Sequence, residues 1–361
     1  MTGQHREMLD QVLRLFEIKP DHDLAVMETG QTPIRVASTI LARLEPILAQ
    51  EQPDWVLVQG DTTTAAAVSM AAFYARSKVG HVEAGLRSYD KWRPFPEEIN
   101  RRIVGVAADL HFAPTQRSAD NLLREGVDAR AIVVTGNTVI DALQWVAALP
   151  ANSEGSVPVR SSSGPNRNAQ HPQAKIRTIL VTAHRRENFG EPLRRICEAL
   201  ESLALRYAET LHIVYPVHLN PNVREPVHKL LAHLPNVTLT DPLDYYELVQ
   251  LMKRAYLVLT DSGGIQEEAP GLGRPVLVLR DVTERPEGLE AGTVRLVGTD
   301  TQTIIEETAR LLDNPVAYAA MAQAVNPYGD GRAADRIAAR LLGESASSFV
   351  PRITQLEAQR L

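Results

Sequence analysis

Cysteine is nearly absent from this chain of 361 residues: Cys197 is the single one. An intrachain disulfide is thereby excluded, and because Cys197 falls inside a helical pattern it reads as a packed thiol rather than a nucleophile. The expected compartment is a reducing one, the cytoplasm. No window approaches the roughly 18 uninterrupted apolar residues of a membrane-spanning helix. The opening Met1-Thr2-Gly3-Gln4-His5-Arg6-Glu7 has no signal-peptide apolar core, so an unexported protein is expected. Also missing are GxxxxGK[ST], GxGxxG, GxSxG, HExxH and paired CxxC, and His81, His184 and His218 show no zinc spacing. Metal-ligand and kinase chemistry therefore have no sequence support. Excess positive charge is lacking too: the formal net charge is −6. Neither nucleic acid nor an anionic membrane is an expected partner, and a small ligand fits better.

What is present is enough apolar material, 44% of residues, for two packed domains. Short β-branched runs alternate with runs of helical period, which predicts an α/β fold with buried parallel sheets. The expected strands are Trp55–Val58, Val79–Val82, Ile132–Val134, Ile179–Thr182, Leu211–Tyr215, Val237–Thr240, Tyr256–Leu259 and Val276–Leu279. Helical patterns include Glu7–Phe16, Thr64–Tyr74, Pro192–Tyr207, Tyr245–Ala255 and Thr303–Leu312. A Ser-, Gly- and Pro-rich stretch interrupts the alternation over 150–174 and reads as a flexible linker. The expected organisation is a first Rossmann-like domain over 1–149, the linker, a second over 175–330 and a helical tail over 331–361 that packs back on the first.

Polar residues gather in loops after the strands, at the carboxyl edge where open α/β sheets bind ligands. In Gln59-Gly60-Asp61-Thr62-Thr63-Thr64, Asp61 taken alone reads as a helix-start residue. Glu83, in His81-Val82-Glu83-Ala84-Gly85-Leu86-Arg87, ends an apolar strand; it could pair with Arg87, or face a ligand across small Ala84 and Gly85. Pro94-Phe95-Pro96-Glu97-Glu98-Ile99-Asn100-Arg101 opens a helix, and its acids suit the helix dipole. His184-Arg185-Arg186-Glu187-Asn188 suits phosphate oxygens with a proton donor, or is a solvated charge cluster. In Thr260-Asp261-Ser262-Gly263-Gly264, which opens a helix, Ser262, Gly263 and Gly264 form an anion cradle for a diphosphate, with Glu268 one turn in, placed for a ribose diol.

Together with Thr283-Glu284-Arg285-Pro286, these segments resemble the non-hydrolysing UDP-N-acetylglucosamine 2-epimerases, from Thr2 to about Gly343 and omitting the linker. The resemblance implies two Rossmann-like domains in a GT-B arrangement, with the active site in the inter-domain cleft. It implies a cytoplasmic homodimer that takes UDP-N-acetylglucosamine to UDP-N-acetylmannosamine for surface polysaccharide synthesis. The implied chemistry is anti elimination of UDP and its re-addition through 2-acetamidoglucal, with no cofactor and no metal. Asp61, Glu83 and Glu97 become the catalytic acids around the sugar, and His184 stands near the departing diphosphate. Arg101, Arg185, Ser262, Gly263, Gly264, Glu268, Arg285, Leu243 and Leu248 bind substrate, and Leu248 stands where the family has an aromatic near the uracil. Gln4, Gln31 and His218, with Glu97 and Arg185, match an allosteric site for a second UDP-N-acetylglucosamine; two further positions of that site read Glu7 and Gly30. The opening residues match the family's second βα unit, so an upstream start, or truncation of about 30 residues, is expected. The rivals are a GT-B glycosyltransferase using a UDP-sugar, which needs an acceptor, and an inactive nucleotide-sugar-binding remnant.

Overall fold

A computed structural model describes residues 1–2, 6–26, 28, 30–150, 176–345 and 347–351. Gln4 and, apart from Pro150, the expected linker over 150–174 lie outside the described residues. The chain divides into two compact units, one of Met1–Asp141 with Gly329–Val350 and one built on Ala142–Tyr328. No described helix is long and apolar enough to cross a membrane.

In the first unit the elements run α1 (Arg6–Leu15), α2 (Pro33–Glu51), β1 (Trp55–Gln59), α3 (Thr63–Tyr74), β2 (Lys78–Val82), α4 (Glu97–Ala107), β3 (Leu110–Ala113), α5 (Gln116–Arg124), β4 (Ile132–Val134) and α6 (Thr138–Ala148), the division between units falling inside α6. The four strands are parallel in the order β1-β2-β3-β4, with Val58 opposite His81 and His81 opposite His111. Helix α3 buries Ala65, Ala66, Ala67, Ala71 and Ala72. Side chains this small let it lie between α2 and α4, both of which it contacts, and Thr62 caps it by accepting from the Ala65 amide at 3.2 Å.

The second unit runs β5 (Arg177–Thr182), α7 (Glu191–Arg206), β6 (Leu211–Pro216), α8 (Pro221–Leu231), β7 (Val237–Thr240), α9 (Tyr245–Arg254), β8 (Leu257–Thr260), α10 (Gly263–Gly271), β9 (Val276–Val278), α11 (Pro286–Glu290), β10 (Val294–Leu296), α12 (Thr301–Asp313) and α13 (Pro315–Ala322). Its six parallel strands lie in the order β10-β9-β8-β5-β6-β7. Strand residues alternate between two cores. Ile179, Val181, Ile213 and Tyr215 join one cluster, while Leu180, Val214, Val258 and Val276 join the other. With both faces covered, the strands read as unbroken apolar runs rather than alternating ones.

The last helix, α14 (Ala333–Leu341), belongs to the first unit. Its first amides, of Ala333 and Ala334, donate to the Asp141 carboxylate at 3.2 and 2.8 Å. Ile337 is buried with Val82, Leu110 and Phe112.

Strand β5 pairs with β6 on one side and β8 on the other. The chain moves outward through β6 and β7, then crosses back to β8. The order reverses between β5 and β8, and the loops leaving those two strands form the crevice in which an open α/β sheet holds a ligand.

Candidate active site

The crevice of the second unit is built around one buried carboxylate. Asp261, fully buried at the end of β8, accepts through Oδ2 from the backbone amides of His184 and Arg185, both at 2.8 Å, and from Asn188 Nδ2 at 3.0 Å. The loop after β5 is thus tied to the loop after β8. His184 stands 44% exposed with its Nδ1 3.7 Å from Asp261 Oδ1, and its ring stacks on His218, centroids 5.6 Å apart at 12°. Partial burial holds the imidazole below its ordinary pKa; the Asp261 charge opposes this, while His218 and Arg185 add to it.

Beside them helix α10 begins at Gly263. The Ser262 side chain makes no capping bond, which leaves the first amides of the helix free for an anion. A Cβ at Gly263 would lie 3.4 Å from Arg185 Nη2 and 3.6 Å from Arg285 Cζ, so two guanidinium groups stand over the same helix end. Arg285 is held by Glu267, Nε to Oε1 2.7 Å. One turn into the helix, a Cβ at Gly264 would meet Glu268 Oε1 at 3.5 Å. Glu268 is only 9% exposed, and burial, with the charge of Glu267, pushes its carboxyl up to about 7. The Tyr245 hydroxyl lies beside it, short of good hydrogen-bond geometry. Leu243 and Leu248 pack against the apolar cluster containing Ile265 and Ala269.

In the first unit the loops after β1 and β2 meet. Gly60 has φ +70°, donates to the Val82 carbonyl at 3.0 Å, and would put a Cβ 3.3 Å from Glu83 Oε2. Glu83 itself sits at φ +64°, in the left-handed region that a non-glycine residue rarely adopts away from functional turns. Asp61 is bound by Arg101, whose Nε and Nη2 reach its Oδ2 at 2.9 and 2.7 Å. Its carbonyl accepts from Asn100 at 2.9 Å. Glu97 opens α4 on the same face as Arg101, one turn earlier, and its Oε2 is buried with no hydrogen-bond partner among the described residues.

The structure adds partners to these local readings. The Arg87 guanidinium grips Glu125 at 2.7 and 2.8 Å. Glu98 stands in the first turn of α4, as its dipole favours, and is also fully buried, accepting from the Ser88 and Tyr89 amides at 3.0 and 3.2 Å and from Arg101 at 3.1 Å. It pins the loop between Glu83 and α4. Asp61 does not cap α3, where Thr62 does that work. Cys197 is fully buried and its thiol is pushed up to about 12 by burial, the state of an inert packed group.

The second unit therefore brings together His184, Arg185, Ser262, Gly263, Gly264, Glu268 and Arg285, with His218 on the ring of His184. The first brings together Asp61, Glu83, Arg101 and the start of α4 that carries Glu97. Gln31 lies in the first unit and donates to the Val26 carbonyl. Reading the sequence alone passed over Asp261, Asn188 and Arg280. Arg280 bridges Glu187 and Glu284 at 2.6 and 2.8 Å. The signal for Asp261 was its place between a buried strand and Ser-Gly-Gly.

The sequence profile of the UDP-N-acetylglucosamine 2-epimerase family matches residues 1–342. The UDP-N-acetylglucosamine 2-epimerase of Escherichia coli K12 is 56% identical over 337 residues, which are 93% of this chain and 88% of that protein. Among solved structures, the UDP-GlcNAc 2-epimerase of Neisseria meningitidis bound to UDP-GlcNAc is 47% identical, with a TM-score of 0.80 over 94% of this chain and 90% of the other. That of Methanocaldococcus jannaschii, in complex with UDP-GlcNAc and UDP, is 31% identical with a TM-score of 0.71, covering 95% and 90%. The chain belongs to the UDP-N-acetylglucosamine 2-epimerase family.

Proposed function

We propose that this protein is an isomerase that inverts C2 of UDP-N-acetylglucosamine, giving UDP-N-acetylmannosamine without hydrolysis. The observation that carries the reading is the convergence of Arg185 and Arg285 on the Gly263 end of α10, beside His184 and with Glu268 one turn in. Two guanidiniums and a helix N-terminus suit a diphosphate, and a carboxylate one turn on suits the hydroxyls of a ribose.

The C2 hydrogen of the sugar has no adjacent carbonyl, so its removal has to be coupled to loss of a leaving group. A carboxylate takes the C2 proton, the C2–H electron pair becomes the C1=C2 double bond of 2-acetamidoglucal, and the C1–O pair leaves with UDP. UDP then returns to C1 while a second acid protonates C2 from the opposite face. Electrons and atoms balance with no redox partner. The acids fitted to these steps are Asp61, Glu83 and Glu97, with Arg101 holding Asp61. His184, Arg185, Arg285 and the α10 amides offset the charge growing on the diphosphate as it departs. Proton NMR of UDP-N-acetylglucosamine with the protein in deuterated water tests this. UDP-N-acetylmannosamine carrying deuterium at C2 is expected, and free sugar with UDP, or no turnover without an acceptor, would refute it.

We further place the protein in the cytoplasm as a homodimer, with a second UDP-N-acetylglucosamine acting as activator through Gln4, Gln31 and His218. The dimer is supported by an apolar face on α3 and α4, where Phe73, Tyr74 and Val106 are 62, 67 and 90% exposed. Strictly hyperbolic kinetics in UDP-N-acetylglucosamine would remove the activator.

A further inference from the structure

Asp261 is a carboxylate with no solvent exposure, and taking such a group out of water costs several kcal/mol unless its oxygens are satisfied. One oxygen is amply satisfied. Oδ2 accepts three bonds, from the amides of His184 and Arg185 and from Asn188. These fix the plane of the carboxylate and leave Oδ1 buried, with no hydrogen-bond partner among the described residues, facing His184 Nδ1 at 3.7 Å. A staple between the β5 and β8 loops needs only Oδ2. The spare oxygen aimed at an imidazole needs another reason, and hydrogen bonds of this kind are commonly long before substrate arrives.

We propose that Asp261 is the positioning partner of His184, accepting the Nδ1–H through Oδ1 so that Nε2 is the nitrogen turned toward the departing diphosphate. The proposal rests on the reading of His184 as the group beside the leaving diphosphate. With Nδ1–H committed to Asp261, neutral His184 presents a bare Nε2, and only the imidazolium presents an N–H to a phosphate oxygen. The groups around the ring that bear on its charge are Asp261, His218 and Arg185. Burial, His218 and Arg185 all act against the imidazolium, and Asp261 alone favours it. Stacking on His218 limits tilting of the ring, so the carboxylate also selects which edge faces the ligand.

The test uses the full chain with ¹⁵N-labelled histidine and the variants Asp261→Asn and His184→Gln. The asparagine carbonyl retains an acceptor for the loop amides while the charge at Oδ1 is lost. In the unsubstituted protein the neutral His184 ring is expected as the Nδ1–H tautomer, and an Nε2–H tautomer would overturn the proposal with no variant required. In D261N the His184 titration is expected to move to lower pH, and kcat to fall roughly 10- to 100-fold, the worth of one hydrogen bond to a charged group, with KM changed far less. In the H184Q background D261N is expected to have no further effect on kcat. A D261N that slows H184Q as much as it slows the unsubstituted enzyme, or that leaves the His184 titration where it was, reduces Asp261 to a staple. A fully active H184Q would instead overturn the assignment of His184, and this proposal with it.

Discussion

Glu268 is expected to trade stability for binding, and the size of the trade follows from its surroundings. Its carboxyl is 9% exposed, its Oε2 has no hydrogen-bond partner among the described residues, and its neighbour Glu267 is paired with Arg285. Burial and that neighbouring charge raise its pKa from 4.5 to about 7. The folded state thus holds the proton more tightly than the unfolded one. Stability is fully present below pH 4.5 and is lost as pH rises through 7, by at most about 3 kcal/mol at about 1.36 kcal/mol per unit. Glu268→Gln keeps the shape and carries no charge. At pH 8 it should stabilise the ligand-free protein by about 1–3 kcal/mol, the lower end applying if the new amide finds no acceptor. At pH 4.5 the gain should be close to zero. Urea unfolding followed by circular dichroism at both pH values measures this, and calorimetric titration should show weaker UDP binding by E268Q. A variant that is less stable at pH 8, or whose gain is independent of pH, would refute the reasoning.

The first unit should be acid-labile for the opposite reason. His81 and His111 face each other in β2 and β3, 1% and 2% exposed, and burial lowers each from 6.5 to about 4. Their contribution is present above pH 6.5 and lost as pH falls toward 4, at most about 3 kcal/mol each. Replacing either by Gln should flatten the acid limb of a pH series of urea midpoints. Gly85→Ala should cost about 3 kcal/mol or more, because φ is +89° and the Cβ would fall 2.1 Å from the Ser118 carbonyl oxygen. Gly126→Ala, at φ +87° with nothing within 4 Å, should cost only the backbone strain of about 1–2 kcal/mol, and equal unfolding losses for the two would contradict this account. Val106→Asp should convert the proposed dimer to monomer in sedimentation velocity; an unchanged sedimentation coefficient would move the interface elsewhere.

Most strands were legible because a parallel sheet covered on both faces demands continuous apolar runs, and Ile132–Val134 and Val237–Thr240 match residue for residue. Strand β3 was not, since Leu110-His111-Phe112-Ala113 follows α4 after only Ala108 and Asp109, with no glycine or proline to mark where the helix ends. Strand β10, Val294-Arg295-Leu296, has an exposed arginine at its centre, which breaks the apolar run. At the site, glycines, arginines and acids at strand ends marked the loops, but their partners did not show. Arg87 finds Glu125, 38 positions away. Asp261 is defined by donors 73 to 77 positions earlier. Local pattern fixes which loop carries chemistry; choice of partner depends on strand order, which composition and period do not encode.

The cations of the second unit also show why such a loop reads ambiguously as either a solvated cluster or a phosphate site. Arg280 is buried and tightly shared between Glu187 and Glu284, so its charge is already spent on bracing the loops. Arg185 is held far more loosely by the same Glu284, at 3.6 Å, whereas Arg285 is fixed tightly by Glu267 at 2.7 Å and has only a long contact, 3.9 Å, to Glu284. A pair as long as that of Arg185 contributes little to stability. At Arg185 a diphosphate need only displace a weak carboxylate contact to gain charge-assisted bonds. The tight pairs hold the frame and the loose one holds the charge in readiness, and counting charges along the sequence cannot separate the two.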